Sequence, residues 1–485
     1  MSDTIAGAAL NDRIARIVAY ASPTSVSANP SQVFAVEAYG ALGDGTTNDA
    51  PAIQAAINAA GIAGGVVAFG PKTYAIASTL TVGQVRAVTL QGSGRNTLNL
   101  PFGTVLLWTG LNSDNWIAIN GDMCSVKDMV LMTNGTQAAG AAIAIERTSL
   151  IGTRNSVENV LIYNCFNGVG VQGFNYCKIT DTLIAGYRGA YATRMYGDST
   201  YRTDNFFMTR VVAVPDASNE TSSAGFIFEG LCASVFVSDC YFPSSNYGIW
   251  AKKNGAGQQP GACRFFHVSV EGNRTNGAYF ESVNNVTITD SFVGTCGLTA
   301  NGGAGAGIRI GTDTKGTFTF NNVNVGTSGE CGIDCEITRA RVRIANCSVA
   351  SNSQNSSGTY PGIRFQAGCD GFVVIGGNSG GGNFADPLET LKQGYGIEIA
   401  TTCVDFVING VNLEGNVTGA VLDSSTSAGK ITNCIGYESS RAATTNATGP
   451  NGSGNITISH GLSKTPASAH PTSYGATGAV SVRNV

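Results

Sequence analysis

The chain has 485 residues, of which 64 are glycine and 12% are charged, and its formal net charge is -4. Collagen is excluded because glycine shows no three-residue period, and disorder because β-branched and aromatic residues are plentiful and regularly placed. The weak negative charge, without any basic run, argues against a nucleic-acid partner, and no apolar stretch reaches the roughly 18 residues of a membrane span.

Residues 1–30 read as a separate anchoring segment. Leu10, Ile14, Ile17 and Val18 fall on one helical face, too short a helix to stand without partners. The start, MSDTIAGAALNDR, has no cationic segment followed by an apolar block, so no cleavable secretion signal is expected. Residues 31–120 read as the cap of a larger stack. FAVEAY is strand-like and runs into the turn GDG; Asn48 or Asp49 can cap a helix, and Pro51 suits its first turn. Ala52, Ile53, Ala56, Ile57 and Ala60 then give that helix one apolar face. A helix there covers the open end of a sheet, where bare edges invite aggregation.

Residues 121–440 repeat a two-strand phrase. GVGVQ leads to CKITDTLIA, GFIFE to SVFVSDCYF, GAYFE to NVTITDSFV, GIRIG to TFTFNNVNV, and GIDCE to RVRIANCSV. From Gly225 onward, through Gly248, Gly277, Gly307, Gly332, Gly362, Gly396 and Gly419, the leading glycines lie about 23 to 34 residues apart, with period-2 alternation after each. This is the pattern of an all-β parallel solenoid of about twelve turns, in which each turn buries its apolar face only against the next. At about 4.8 Å per turn the stack is roughly 55–60 Å long. Between Gly189 and Gly225 the rhythm breaks, with the insertions RMYGDSTYRTDN and PDASNETSSA. Residues 441–485 are a polar linker and a small β cap.

The thirteen cysteines fall at repeat positions. Cys165, Cys240, Cys347 and Cys434 follow the Asn or Asp that ends a second strand, and Cys232, Cys369 and Cys403 fall seven residues after an anchor glycine. They are expected to be buried, reduced thiols packed as small hydrophobes, in a chain that folds in a reducing cytoplasm.

The block VEAYGALGDGTTNDAPAIQAAINAA, followed by GGVVAFGPKTYAIASTLTV, resembles the start of pectate-lyase-like β-helix proteins, in the branch that includes bacteriophage tailspikes. NDRIARIVAYASPTSVSANPSQVF is similar to the leader of phage tail fibres, and GNITISHGLSKTP to their short terminal caps. The resemblance implies a right-handed parallel β-helix, a homotrimer, a place on the virion tail reached through an adaptor or baseplate protein at residues 1–30, and a host surface polysaccharide as ligand.

In each first strand the positions one and three after the anchor are apolar and point inward, so positions two and four face out. The outward columns contain Tyr191, Trp250, Tyr279, Arg309, Asp334 and Arg364 at position two, and Glu229, Lys252, Glu281, Glu336 and Gln366 at position four. Aromatic rings stack on the CH faces of sugars while carboxylates and arginine bond hydroxyls, so this face suits an oligosaccharide. Glycoside hydrolysis needs two carboxylates. Glu229 and Glu281 stand two turns apart, roughly 9.6 Å at the backbone; Glu281 and Glu336 repeat that spacing, and Asp334 and Glu336 share a strand. The bland alternative is a solvated charged face in which Arg309, Asp334 and Arg364 form an ion ladder of little energetic worth.

Loop acids compete: Asp198 and Asp204 around Tyr201 in the insertion, Glu271 beside Arg274, and Glu330. Asp181, Asp239 and Asp290 share a repeat position with Asn164, Asn322, Asn346 and Asn433 and read as turn residues tolerant of left-handed backbone. His267 falls within a strand and reads as a core or seam residue. Polygalacturonases, which resemble this fold, carry acids just before their strand anchors and a Gly-His-Gly motif; neither is present in this sequence. No cluster of metal ligands and no cofactor motif is evident. A non-catalytic receptor-binding spike and a polysaccharide lyase, with Lys252 or Arg309 abstracting the proton, remain alternatives to a hydrolase.

Overall fold

Every pairing between strands is parallel in the computed structural model, which describes residues 32–437 apart from 84–86, 96–102, 148–151, 220–222, 337–340, 381–392 and 426–428. The segments expected to anchor the chain, 1–30, and to close it, 441–485, lie outside the described residues. Each turn of the chain supplies three strands. The first strands form a 13-stranded sheet, and the second and third strands together form a 28-stranded one. Crossovers between parallel neighbours are right-handed as a rule, and the result is the right-handed parallel β-helix that the repeat predicts. Thirteen first strands give twelve steps of about 4.8 Å, so the stack is roughly 58 Å long.

The anchor glycines are required by contact rather than by backbone angle. A Cβ on Gly277 would lie 2.5 Å from Val293 Cγ1 and 2.7 Å from the carbonyl oxygen of Gly307. Gly225, Gly248, Gly307 and Gly332 are crowded in the same way by the third strand of their own turn and by the next anchor. Behind each anchor the inward side chains stack turn on turn. Phe226, Phe228, Phe265, Phe280 and Phe318 are fully buried and pass ring to ring at centroid distances of 5.5, 6.2, 6.1 and 6.0 Å.

The corner between second and third strands needs a left-handed residue in each turn. Asp181, Asp239, Asp290, Asn322, Asn346 and Asn433 all occupy it with φ between 49° and 54°. Asn164 does not belong to this column: it lies at the corner after the third strand, and Asn159 takes the earlier place. His267 sits in the same corner column with φ 50°, half-exposed, rather than in the core. All thirteen cysteines are free, and all but Cys434 are buried.

At the N-terminal end the helix α1 (Ala50–Ala63) buries Ala50, Ile53, Ala56, Ile57 and Ala60 against the first turns. Asp49 holds the N-cap position without a side-chain cap bond to the helix, and Asn48, one residue earlier, accepts from the Ala50 N–H through its Oδ1 at 3.2 Å. Asp49 instead turns back, and its carboxylate accepts the backbone N–H groups of Leu42 and Gly43. The GDG turn is held similarly: Asp44 accepts from the N–H groups of Thr46 and Thr47, which hold its carboxyl well below the usual range.

Candidate functional site

The outward face of the first strands is built by β1 (Tyr191–Gly197), β2 (Ala224–Gly230), β3 (Tyr247–Lys252), β4 (Asn276–Phe280), β5 (Ile308–Ile310), β6 (Ile333–Cys335) and β7 (Ile363–Phe365). Register across neighbouring turns places Arg194, Ile227, Trp250, Tyr279, Arg309, Asp334 and Arg364 in one column. Tyr196, Glu229 and Lys252 stand in the next.

One turn departs from the sequence reading. Gly168 is equivalent to Ala192, not to Gly189, because Val169 pairs with Thr193 and Gly170 with Arg194. Thr193 therefore points into the core and is fully buried. Arg194 and Tyr196 take the two outward places on this strand, the first of them the place expected of Tyr191. Tyr191 precedes the anchor, yet its ring reaches the face from there: a Cβ on Gly170 would meet the Tyr191 hydroxyl at 3.0 Å. Burial pushes that hydroxyl up to about 12.

The face is a chain of contacts that cross from turn to turn. Arg194 donates through Nε and Nη2 to Glu229 Oε2, at 3.2 and 2.9 Å, and its guanidinium lies 4.5 Å from the centre of the Tyr196 ring. Lys252 Nζ is 3.8 Å from the same Glu229 oxygen and 4.3 Å from the centre of the Trp250 ring. Trp250 donates its indole N–H to Glu281 Oε2 at 3.0 Å. The Tyr247 ring, just before the anchor of β3, packs 4.7 Å from Trp250 and 5.7 Å from Tyr279. Burial, then the Glu281 charge, pushes the Tyr279 hydroxyl up to about 12.

Below these rings the charges pair off. Arg309 donates to Glu336 and lies 5.7 Å from the centre of the Tyr279 ring. Burial works against the Arg309 charge, but the bond from Glu336 holds it on, so its guanidinium is raised above its ordinary value. Asp334 is 3% exposed; it takes both Nε and Nη2 of Arg364, at 2.9 and 2.6 Å, and the amide of Gln366. That bond with Asp334 is what raises Arg364. The expected Arg309–Asp334–Arg364 ladder is thus two separate pairs. Among the described residues Glu281 is the one carboxylate of Glu229, Glu281, Asp334 and Glu336 with no cation in ion-pair range.

The other sequence candidates lie elsewhere. Asp204 is on a second strand, paired with Arg202 at 2.9 Å. Tyr201 sits at the edge of the face with the Arg147 guanidinium 5.7 Å from its ring centre. Asp198 caps that loop by accepting from the N–H groups of Thr200 and Tyr201. Glu271 is on a third strand, Ser269–Glu271, on another side of the helix. A cavity of about 650 Å³ opens at the corner column, lined by Arg95, Asp181, Leu183, Arg210 and Val212; its Asp181 is bound bidentately by Arg210, which holds the carboxyl low. Arg194 and Tyr196 are the residues of this face that the sequence reading missed. The alternation Ala192, Thr193, Arg194, Met195, Tyr196 carries the signal once the anchor is allowed to be alanine.

Residues 33–172 match the model of a family described as rhamnogalacturonase A/epimerase, pectate lyase-like. No curated protein matches the chain. Among solved structures it is similar to pre-mature gene product 12 of bacteriophage phi29, with 13% identity and a TM-score of 0.58, over 88% of this chain and 58% of that one. Tailspike protein 3 of bacteriophage CBA120 is similar at 12% identity and a TM-score of 0.53, over 86% of this chain and 64% of that one. The mannuronan C-5 epimerase AlgE4 A-module of Azotobacter vinelandii is similar at 15% identity and a TM-score of 0.50, over 82% of this chain and all of that one. The chain therefore spans less than two thirds of either phage protein. These likenesses show the fold, a pectate-lyase-like parallel β-helix.

Proposed function

We propose that this protein is a phage tailspike that lays a host surface polysaccharide, capsule or lipopolysaccharide O-antigen, along the outward face of the first strands and depolymerises it by hydrolysis. In this reading it is a homotrimer on the virion tail, folded in the host cytoplasm and attached to an adaptor or baseplate protein through residues 1–30. The observation that carries it is the face itself: Tyr196, Trp250, Tyr247 and Tyr279 alternate with Glu229, Glu281, Arg309 and Glu336 over consecutive turns, so aromatic surface and hydroxyl-binding groups repeat along a line.

The proposed chemistry uses Glu281 and Glu229. Among the described residues the Glu281 carboxylate has only the Trp250 indole N–H as a polar partner, so it is the carboxylate assigned to exchange a proton with the glycosidic oxygen. Glu229, held by Arg194 and Lys252, is assigned to orient the attacking water and to take its proton as the general base. Their two-turn spacing, roughly 9.6 Å at the backbone, suits an inverting mechanism, whose carboxyl groups stand about 6.5–9.5 Å apart. A lyase is less well supported, because Lys252 and Arg309 are already committed to Glu229 and Glu336.

One observation favours a second reading, a receptor-binding spike that does not cleave. Glu229, Asp334 and Glu336 are all ion-paired, an arrangement that also serves to hold a rigid binding surface. Release of reducing ends from host polysaccharide separates the two: hydrolysis predicts release that Glu281→Gln abolishes, and binding alone predicts retention without release.

A further inference from the structure

A second face of the helix carries exposed aromatic rings. Phe207 is 36% exposed, Phe266 44%, and Tyr241, on the neighbouring third-strand side, 36%. Phe207 and Phe236 are partners in adjacent turns, stacked 5.1 Å apart at an interplanar angle of 7°. Their ring faces cover one another along the stack, and what they present outward is a ridge of ring edges. Such a ridge offers no open ring face to a sugar but packs well against apolar protein surface.

The charges beside the ridge are complementary across the corner. Arg264 follows Phe236 in the same column, with its guanidinium 5.7 Å from that ring centre. Glu271, on the third strand of the same turn, accepts from the Ser269 hydroxyl at 2.6 Å. Neither is in an ion pair among the described residues. One turn of chain supplies both, so they stand at the same height, on two sides that meet at His267.

We propose that these two sides are the seam between copies of this chain. The second-strand ridge of one copy, Phe207, Phe236 and Phe266, packs on Tyr241 of the next, and Arg264 of one pairs with Glu271 of the next. Rotation about an axis parallel to the stack keeps each residue at its own height, so Arg264 meets Glu271 in a head-to-tail contact that closes into a ring. The His267 corner then faces the axis and the first-strand face stays open to solvent. This rests on the homotrimer of the preceding reading, not on its glycan chemistry.

The test uses the full chain and light scattering. The expected wild-type mass is three times 49.8 kDa. Arg264→Glu and Glu271→Arg should each lower the trimer fraction at limiting concentration at least tenfold, and the double exchange should restore it. Phe236→Asp should dissociate the trimer while circular dichroism keeps its β signal. Intact trimers in all three single variants, or a double exchange without rescue of weakened singles, overturns the seam while leaving the trimer standing. A monomeric wild type overturns seam and trimer together; if Arg264→Glu then also loses retention on immobilised alginate, the face is a polyanion surface instead. Restored trimers that release no reducing ends uphold the seam and count against the hydrolase reading alone.

Discussion

Trp250 and Glu281 are joined across one turn of the helix by an indole hydrogen bond of 3.0 Å, and among the described residues this bond gives Glu281 its only polar side-chain partner, on a face where Glu229, Asp334 and Glu336 hold arginine or lysine. Glu281→Gln keeps the shape and the acceptor for Trp250 but cannot transfer a proton. Turnover of the polysaccharide is expected to fall by about 10²–10⁴-fold with binding preserved, measured by reducing-end release and retention on the same polymer. Asp239→Asn is the contrast: that residue is a half-exposed corner residue whose place asparagine fills in other turns, and full activity is expected.

Trp250→Ala removes the ring on which Lys252 and Tyr247 rest. Glycan binding should weaken by about 1–3 kcal/mol, the usual worth of a large aromatic contact, while the thermal midpoint moves little because the ring points away from the core. Binding isotherms and a melting curve on the same sample decide it. A collapse of the fold would show that Trp250 is structural.

Arg194→Ala leaves Glu229, 9% exposed, with Lys252 at 3.8 Å as its remaining cation. A mostly buried carboxylate that loses a bidentate partner costs on the order of 1–3 kcal/mol. Denaturant unfolding should show that loss, and Arg194→Lys should recover only part of it, since ammonium cannot supply the two-pronged bond.

The first-strand face was legible where glycine marks the anchor. Phe226 and Phe228 inward, with Trp250, Glu281 and Arg309 outward, follow directly from the alternation after Gly225, Gly248, Gly277 and Gly307. The reading failed at Gly189, where glycine is needed for another reason: a Cβ there would lie 2.8 Å from the Phe166 carbonyl oxygen. The true anchor of that turn is Ala192, and the three-residue error hid Arg194. Asn164 was misplaced similarly, because both corners of the turn accept left-handed asparagine. The pairings Arg194–Glu229 and Arg309–Glu336 were not legible, since they join different turns and depend on register and on rotamers that alternation does not specify.

Gly277→Ala tests the crowding of the anchors. Its Cβ would meet Val293 Cγ1 at 2.5 Å and a backbone oxygen at 2.7 Å, and the backbone oxygen cannot swing aside. Overpacking of this kind costs about 1–3 kcal/mol. Gly255→Ala, with nothing within 4 Å of the added carbon, should be close to neutral, so the difference between the two urea midpoints reads the crowding and not glycine entropy.

The thiols give the last expectation. Twelve of the thirteen cysteines are buried and none is in a disulfide. Burial pushes Cys165 and Cys177 up to about 12, and a thiol must both ionise and be reached to react. Cys403 separates the two requirements: a hydrogen bond with the Cys369 thiol draws it down from its ordinary value, yet it is fully buried. If access decides, native protein treated with iodoacetamide at neutral pH should be modified at Cys434 alone, with Cys403 protected. Unfolding without reductant should then expose all thirteen to alkylation, counted by mass spectrometry. Rapid native labelling of Cys403 would mean that its turn opens, and fewer than thirteen adducts after unfolding would mean that disulfides exist.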